Sequence, residues 1–215
     1  MRFLPSQKNR KVFGNIAEEY DLVYFGNVDP KVDTDYKIVR GLTLSPNIKD
    51  ENYTTGNVYD YEVAFLQRSK QVTMTDGGKS QRTWTILHVQ LKNAWLPHFL
   101  VDGRSRSEEY GHLLASTQRW REISWRYLGA NPDFLKVFAI FSQPDMVSSL
   151  MNVLTEEVQA MLAAHFAQFD YEFKDDSIIV YATNQEVNLQ LLDHMLRVGL
   201  WLARTIDQNS HELTI

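Results

Sequence analysis

The sequence contains no cysteine. That excludes disulfides, thiolate-held zinc, iron–sulfur clusters and a thiol nucleophile. It leaves the compartment open, because cytosolic proteins and bacterial surface proteins can both lack cysteine. Proline and glycine are sparse, 6 and 10 in 215 residues, which excludes a collagen-like or low-complexity chain. Long hydrophobic runs are missing too. The most apolar stretch, "LQLLDHMLRVGLWLA", is broken by Asp193, His194 and Arg197, so it does not read as a membrane-spanning helix. No apolar run follows the basic residues of "MRFLPSQKNRK", so that start does not read as a secretory signal.

What is present suits an ordinary globular chain. Apolar residues make up 44% and charged residues 23%, enough to bury a core without covalent staples. The net charge of −5 argues against a general nucleic-acid binder. The charge is uneven, however. Residues 1–17 hold Arg2, Lys8, Arg10 and Lys11 and no acid, so this segment is a candidate for contact with an anionic membrane surface.

Periodicity sets the order of elements. Val12, Phe13, Ile16, Ala17 and Tyr20 recur at helical spacing and predict a helix over 7–20. Residues 27–56 read as a long loop with room for one short strand, "YKIVRGLTL". "NVYDYEVAFLQ" alternates as a half-buried strand, with Tyr59, Tyr61, Val63 and Phe65 on one face. "RTWTILHVQL" and "PHFLVDG" read as further strands, and "SEEYGHLLASTQRW" as a helix. "FLKVFAIFS", apolar on both faces, reads as a strand in the middle of a sheet. Two helices follow, "QPDMVSSLMN" and "LTEEVQAMLAAHF", the second capped by Thr155. Then come a hairpin, "FDYEF" with "SIIVYAT", and a final helix over 185–206. The expectation is one α+β domain over 1–215, with a helix plus irregular segment over 1–56 and a core over 57–206. Its sheet is mainly antiparallel, packed by the N-terminal helix, a central helix pair and the long C-terminal helix.

The chemistry-bearing candidates are weak. "TDGGKS" ends like a phosphate-cradling loop, but Thr73 stands where the first glycine belongs and a strand-like run follows Ser80, so Asp76-Gly77-Gly78 reads as a hairpin turn. Asp133, Glu172 and Lys174 trace the outline of a metal-dependent nuclease, in which acids hold a divalent ion near a lysine. Glu109 and His112 form a single E-x-x-H, and the histidines show no paired-ligand spacing, so no metal or other cofactor is expected. "RWREISWRYLG" interleaves arginine with aromatics but carries little net charge for nucleic acid.

The final helix gives the clearest interaction signal. Leu191, Met195, Val198 and Leu202 make a core-facing stripe. Leu192, Leu200 and Trp201 widen the apolar surface beyond it, and Trp84 marks the open face of a hairpin; these four are the expected contact residues for a partner or a second copy.

The C-terminal half also resembles a family of uncharacterised bacterial proteins, an actinobacterial-type domain of unknown function. The resemblance lies in Phe134-x-x-x-Phe138-Ala139-Ile140, Asp145, "LTEEVQAML" and "FDYEFKDDSIIVYAT", with "YDYEVAF" and "TWTILHVQL" as the family's paired strands, over about residues 57–205. Glu156 stands where many relatives have proline. The resemblance implies a soluble α+β domain, often membrane-anchored, and no catalytic residues. The expected function is a non-enzymatic interaction or structural module in the cytoplasm, at the inner face of a bacterial membrane; the alternative is the nuclease.

Overall fold

The computed structural model describes residues 7–28, 36–44, 49–73, 79–105, 120–124 and 131–212. Their elements are α1 (Gln7–Tyr20), β1 (Val23–Gly26), β2 (Lys49–Val58), β3 (Tyr61–Thr73), β4 (Lys79–Gln90), β5 (Leu96–Gly103) and β6 (Arg121–Glu122). There follow α2 (Pro132–Val137), β7 (Phe138–Ser142), a 3-10 turn over Pro144–Met146, α3 (Val147–Val153), α4 (Glu156–His165), β8 (Asp170–Asp175), β9 (Ser177–Thr183) and α5 (Leu189–Glu212). The nine strands form one sheet in the order β1-β2-β3-β4-β9-β8-β5-β7-β6, with every pairing antiparallel. The α+β class and the N- and C-terminal helices match the sequence reading.

Several elements differ from expectation. No strand forms at "YKIVRGLTL"; residues 36–44 run as an irregular strap, and the strand of this region is β2. Its polar sequence "KDENYTTGNV" is held by pairing with β1 and β3 on its two sides. The strand expected from Asn57 onward is interrupted at Tyr59-Asp60, a two-residue turn between Val58 and Tyr61. "FLKVFAIFS" divides into α2 and β7, because Asn131 caps a helix start: its side chain accepts from the N–H groups of Asp133 (2.9 Å) and Phe134 (3.4 Å), and Pro132 stands at the first helical position. The final helix begins at Leu189, where Asn188 Oδ1 accepts from Leu191 N–H at 2.8 Å. The helix read at "SEEYGHLLASTQRW" and the turn at Asp76-Gly77-Gly78 lie outside the described residues. Lys79 opens β4, so a strand stands where a phosphate-binding helix would be needed.

The sheet is covered on both faces. One face carries the helices: Val63, Phe65, Leu87, Val89, Phe99, Val101, Tyr171 and Phe173 pack with Phe13 and Ile16 of α1, Leu162 of α4, and Leu192, Met195, Val198 and Leu202 of α5. Helix α5 sits directly on β4 at Gly199, where a methyl group would come within 2.8 Å of Leu87 and 3.0 Å of Val89. The opposite face carries Tyr53, Ala64, Leu66, Trp84, Ile86, Leu100, Ile179 and Tyr181, closed over by Tyr36 and Val39 of the strap.

Candidate functional site

Alternation along the strands sends a set of polar side chains to the strap face. On β3 it is Arg68, on β2 Asp50, on β8 Glu172, on β9 Tyr181 and on β5 His98. Arg68 grips Asp50 with two bonds, Nε to Oδ1 at 2.8 Å and Nη2 to Oδ2 at 2.7 Å. It also donates to Val39 O (3.0 Å) and Thr43 Oγ1 (3.1 Å) of the strap. Tyr36 of the strap donates its hydroxyl to Asp50. Burial alone would weaken the guanidinium's hold on its proton, but the bonds and charge of Asp50 outweigh it and raise the Arg68 pKa. Burial, then the bond to Asp50, raises the Tyr36 pKa.

A second cluster lies alongside. Glu172, with no exposed surface, accepts from Tyr181 Oη (2.5 Å) and Leu42 N–H (2.7 Å) at Oε2, and pairs with His98 Nε2 (2.6 Å) at Oε1. Burial first, and the Glu172 charge second, drives the Tyr181 pKa well up. The His98 side chain is 35% exposed and meets the edge of Trp120, ring centroids 4.5 Å apart. A carboxylate on one ring nitrogen fixes the imidazole's orientation and tautomer. Here the other carboxylate oxygen is committed to Tyr181 and to the strap, so Glu172 works as a clamp. Gly41 lies so close to this clamp that an added methyl would run into the Tyr181 hydroxyl, Glu172 Oε2 (2.8 Å) and Ile179 (2.9 Å).

The nuclease triad does not assemble. Glu172 and Lys174 share the strap face of β8, whereas Asp133 lies on α2, which packs with Phe134 against the opposite, helical face. Asp133 is exposed and paired with Lys136 at 2.7 Å, beside a hollow of about 320 Å³ between α2 and α4. Ions of this kind need oxygens at about 2.0–2.6 Å from one centre. Among the described residues no cluster of three His, Asp or Glu side chains could hold a metal ion. Glu109 and His112 lie outside the described residues.

The expected contact residues fall into two groups. Trp84, Leu192 and Leu200 are enclosed in the core of this chain. Trp84 is inside because it shares a core cluster with Tyr36 and Val39 of the strap, on the hairpin face that the sequence marks as open. Leu192 and Leu200 are inside because α5 is contacted by the sheet on one side and α1 on another. Trp201 is half-buried and borders solvent. The basic positions Lys8, Arg10 and Lys11 lie on the exposed side of α1, with Lys8 ion-paired to Glu186; Arg2 is outside the described residues.

Sequence reasoning did not find the exposed aromatic end of the sheet. Tyr59 and Asp60 both adopt left-handed backbone, φ 48° and 67°, and hold the Tyr59 side chain 68% exposed. The guanidinium of Arg204 lies over its ring, 4.9 Å from the centroid. Trp201 is three residues before Arg204 on α5, on the same side of the helix. At the same end the link from β4 to β5 is pinned by Asp207, which accepts from Lys92 N–H (3.2 Å) and Asn93 N–H (3.0 Å). That link presents Trp95, 76% exposed.

No helix among the described residues is long and apolar enough to cross a membrane. No protein-family model matches the chain, and no curated protein matches it. In fold it is similar to a solved structure, that of the mycobacterial trehalose monomycolate transport factor A, TtfA, with a TM-score of 0.54, 10% sequence identity and 94% of each chain covered.

Proposed function

We propose that this chain is a non-enzymatic interaction module that works at the inner face of a bacterial membrane as an accessory to transport. The observation that carries this reading is the Tyr59–Trp95 end of the sheet. A two-residue hairpin turn with both φ values positive favours Asn or Gly, and a tyrosine there is strained. The sequence nevertheless places an exposed aromatic at that point, backed by Arg204, with Trp201 three residues before Arg204 and Trp95 in the β4–β5 link that Asp207 holds to α5. Trp, Tyr and Arg are the side chains that dominate binding energy when a partner covers them. The fold shared with a transport factor supports the class of role, and the exposed Arg10 and Lys11 of α1 are the groups offered to anionic headgroups. A transport accessory acts by holding a partner, so the contact surface is the functional part.

The test is a double variant, Tyr59→Asn with Trp95→Ser. Asparagine tolerates the left-handed turn, so the melting temperature should hold or rise. Purified with its membrane neighbours from its native host, the wild type should retain a protein partner that the variant loses by about tenfold or more, the scale of one or two hot-spot residues. A variant that retains the same partners in the same amounts refutes the proposal.

A further inference from the structure

The two faces of the sheet are closed in different ways. The helical face is sealed by the apolar sides of the helices. The strap face is covered, among the described residues, by nine residues of irregular chain, 36–44, together with Val28 and Trp120. No strand ladder among the described residues ties the strap to the sheet. Its fastenings are the Tyr36 hydroxyl on Asp50, Arg68 on Val39 O and Thr43 Oγ1, and Leu42 N–H on Glu172. Ile38 and Leu44 of the strap face outward.

Beneath it lies an aliphatic floor of Leu66, Ile86, Leu100 and Ile179. Two polar atoms in this layer, Trp84 Nε1 and Tyr53 Oη, are fully buried and have no hydrogen-bond partner among the described residues. A buried donor without an acceptor is costly, and in native proteins such a group calls for a specific reason. Trp84 stands directly opposite Arg68 across the β3–β4 pair. Cross-strand partners of this kind have Cβ atoms about 5 Å apart. When the strap lifts, Arg68 keeps Asp50 on Nε and Nη2 but loses Val39 O and Thr43 Oγ1. Its released N–H groups and Trp84 Nε1 are then neighbouring donors at one edge of an apolar floor.

We propose that the strap is the movable cover of a binding site for an amphiphile. The ligand is an aliphatic chain carrying a carbonyl or carboxylate oxygen. The chain lies over Leu66, Ile86, Leu100 and Ile179, and the oxygen is taken by Trp84 Nε1 and Arg68. This site is separate from the Tyr59–Trp95 surface, and either can fail without the other.

The probes are dansyl-undecanoic acid and its methyl ester, titrated against the full chain and followed by dansyl emission. Saturable binding is expected. If both bind, the carbonyl suffices; if only the acid binds, the head is the carboxylate. Trp84→Phe should weaken binding about fivefold or more, the scale of one buried hydrogen bond. Should Trp84→Phe fold poorly, Ile86→Ala, which shortens the aliphatic floor, should weaken binding as well. The chain has no cysteine, so Ile38→Cys gives a single labelling site on the strap. Its label should respond to the probe with the same midpoint as the dansyl signal. Absence of probe binding, unchanged affinity in the folded variants, or a silent strap label while the probe binds would each overturn the proposal.

Discussion

Replacing Gly41 with alanine adds one methyl group at the point where the strap meets the sheet. That methyl has nowhere to go. Its neighbours are the Tyr181 hydroxyl, Glu172 Oε2 at 2.8 Å and Ile179 at 2.9 Å. Tyr181 and Glu172 are fully buried and bonded to each other, so neither can swing aside. The strap must retreat. A retreat strains or breaks the bond from Leu42 N–H to Glu172 and weakens those from Arg68 to Val39 O and Thr43 Oγ1. Overpacking of this kind costs about 1–3 kcal/mol. Loss of one bond to a buried charged group adds about 1.5–3 kcal/mol. The expected total is about 3 kcal/mol, allowing for partial relaxation, which lowers the melting temperature by roughly 6–12 °C for a chain of this size. Gly14 is the control. It lies inside α1, and a methyl group added there would meet nothing within 4 Å, so Gly14→Ala should stabilise by about 0.5–1 kcal/mol. Both are measured by urea and thermal unfolding. If Gly41→Ala falls within about 0.5 kcal/mol of wild type, the strap is not fastened as described.

Two further outcomes are expected. Met195 and Leu192 are both fully enclosed by the helical core, so each alanine substitution should cost about 2–5 kcal/mol by urea unfolding, with Leu192 no milder than Met195. Alkaline pH should also unfold the chain. The bond to Asp193, followed by burial, pushes the Tyr20 pKa up to about 12, and burial followed by Asp207 does the same for Tyr61. A phenol whose folded pKa lies above its unfolded value near 10 contributes stability that is complete below about pH 10 and disappears as pH rises through about 12. The urea midpoint should fall across that window, and Tyr20→Phe should flatten the fall.

Much of the fold is legible in the sequence because its signals are local. The alternation of "TWTILHVQ" gives β4, and Thr155 with two glutamates gives the start of α4. β2 is not legible. Asp50 and Asn52 disfavour strands by propensity, yet both are buried in the strand, where pairing and side-chain bonds decide the conformation. The run from Phe134 to Ser142 is apolar enough for a buried strand, and the cap at Asn131-Pro132-Asp133 is the available signal that a helix intervenes. The strap clamp cannot be read from spacing, since Arg68 meets Asp50 across 18 residues and His98 meets Glu172 across 74. Two hints are present: Arg68 comes two residues after the apolar run "VAFL", and Glu172 stands between Tyr171 and Phe173. Glu172 stands out in the sequence, but as a ligand for an ion that it does not share with Asp133.

The strand order has a consequence for synthesis. β1 to β4 pair with their sequence neighbours and can assemble as a meander while translation continues. The other side of β4 must wait for β9, whose residues Ser177–Thr183 emerge about a hundred residues later. Until then Trp84, Ile86, Leu87 and Val89 line an unpaired apolar edge, the kind of edge that recruits other strands. Helix α5, which buries Leu87 and Val89 at Gly199, arrives later still. The nascent chain is therefore most exposed to aggregation between completion of β4 and release of α5, and a chaperone that shields β4 during that interval should raise the soluble yield.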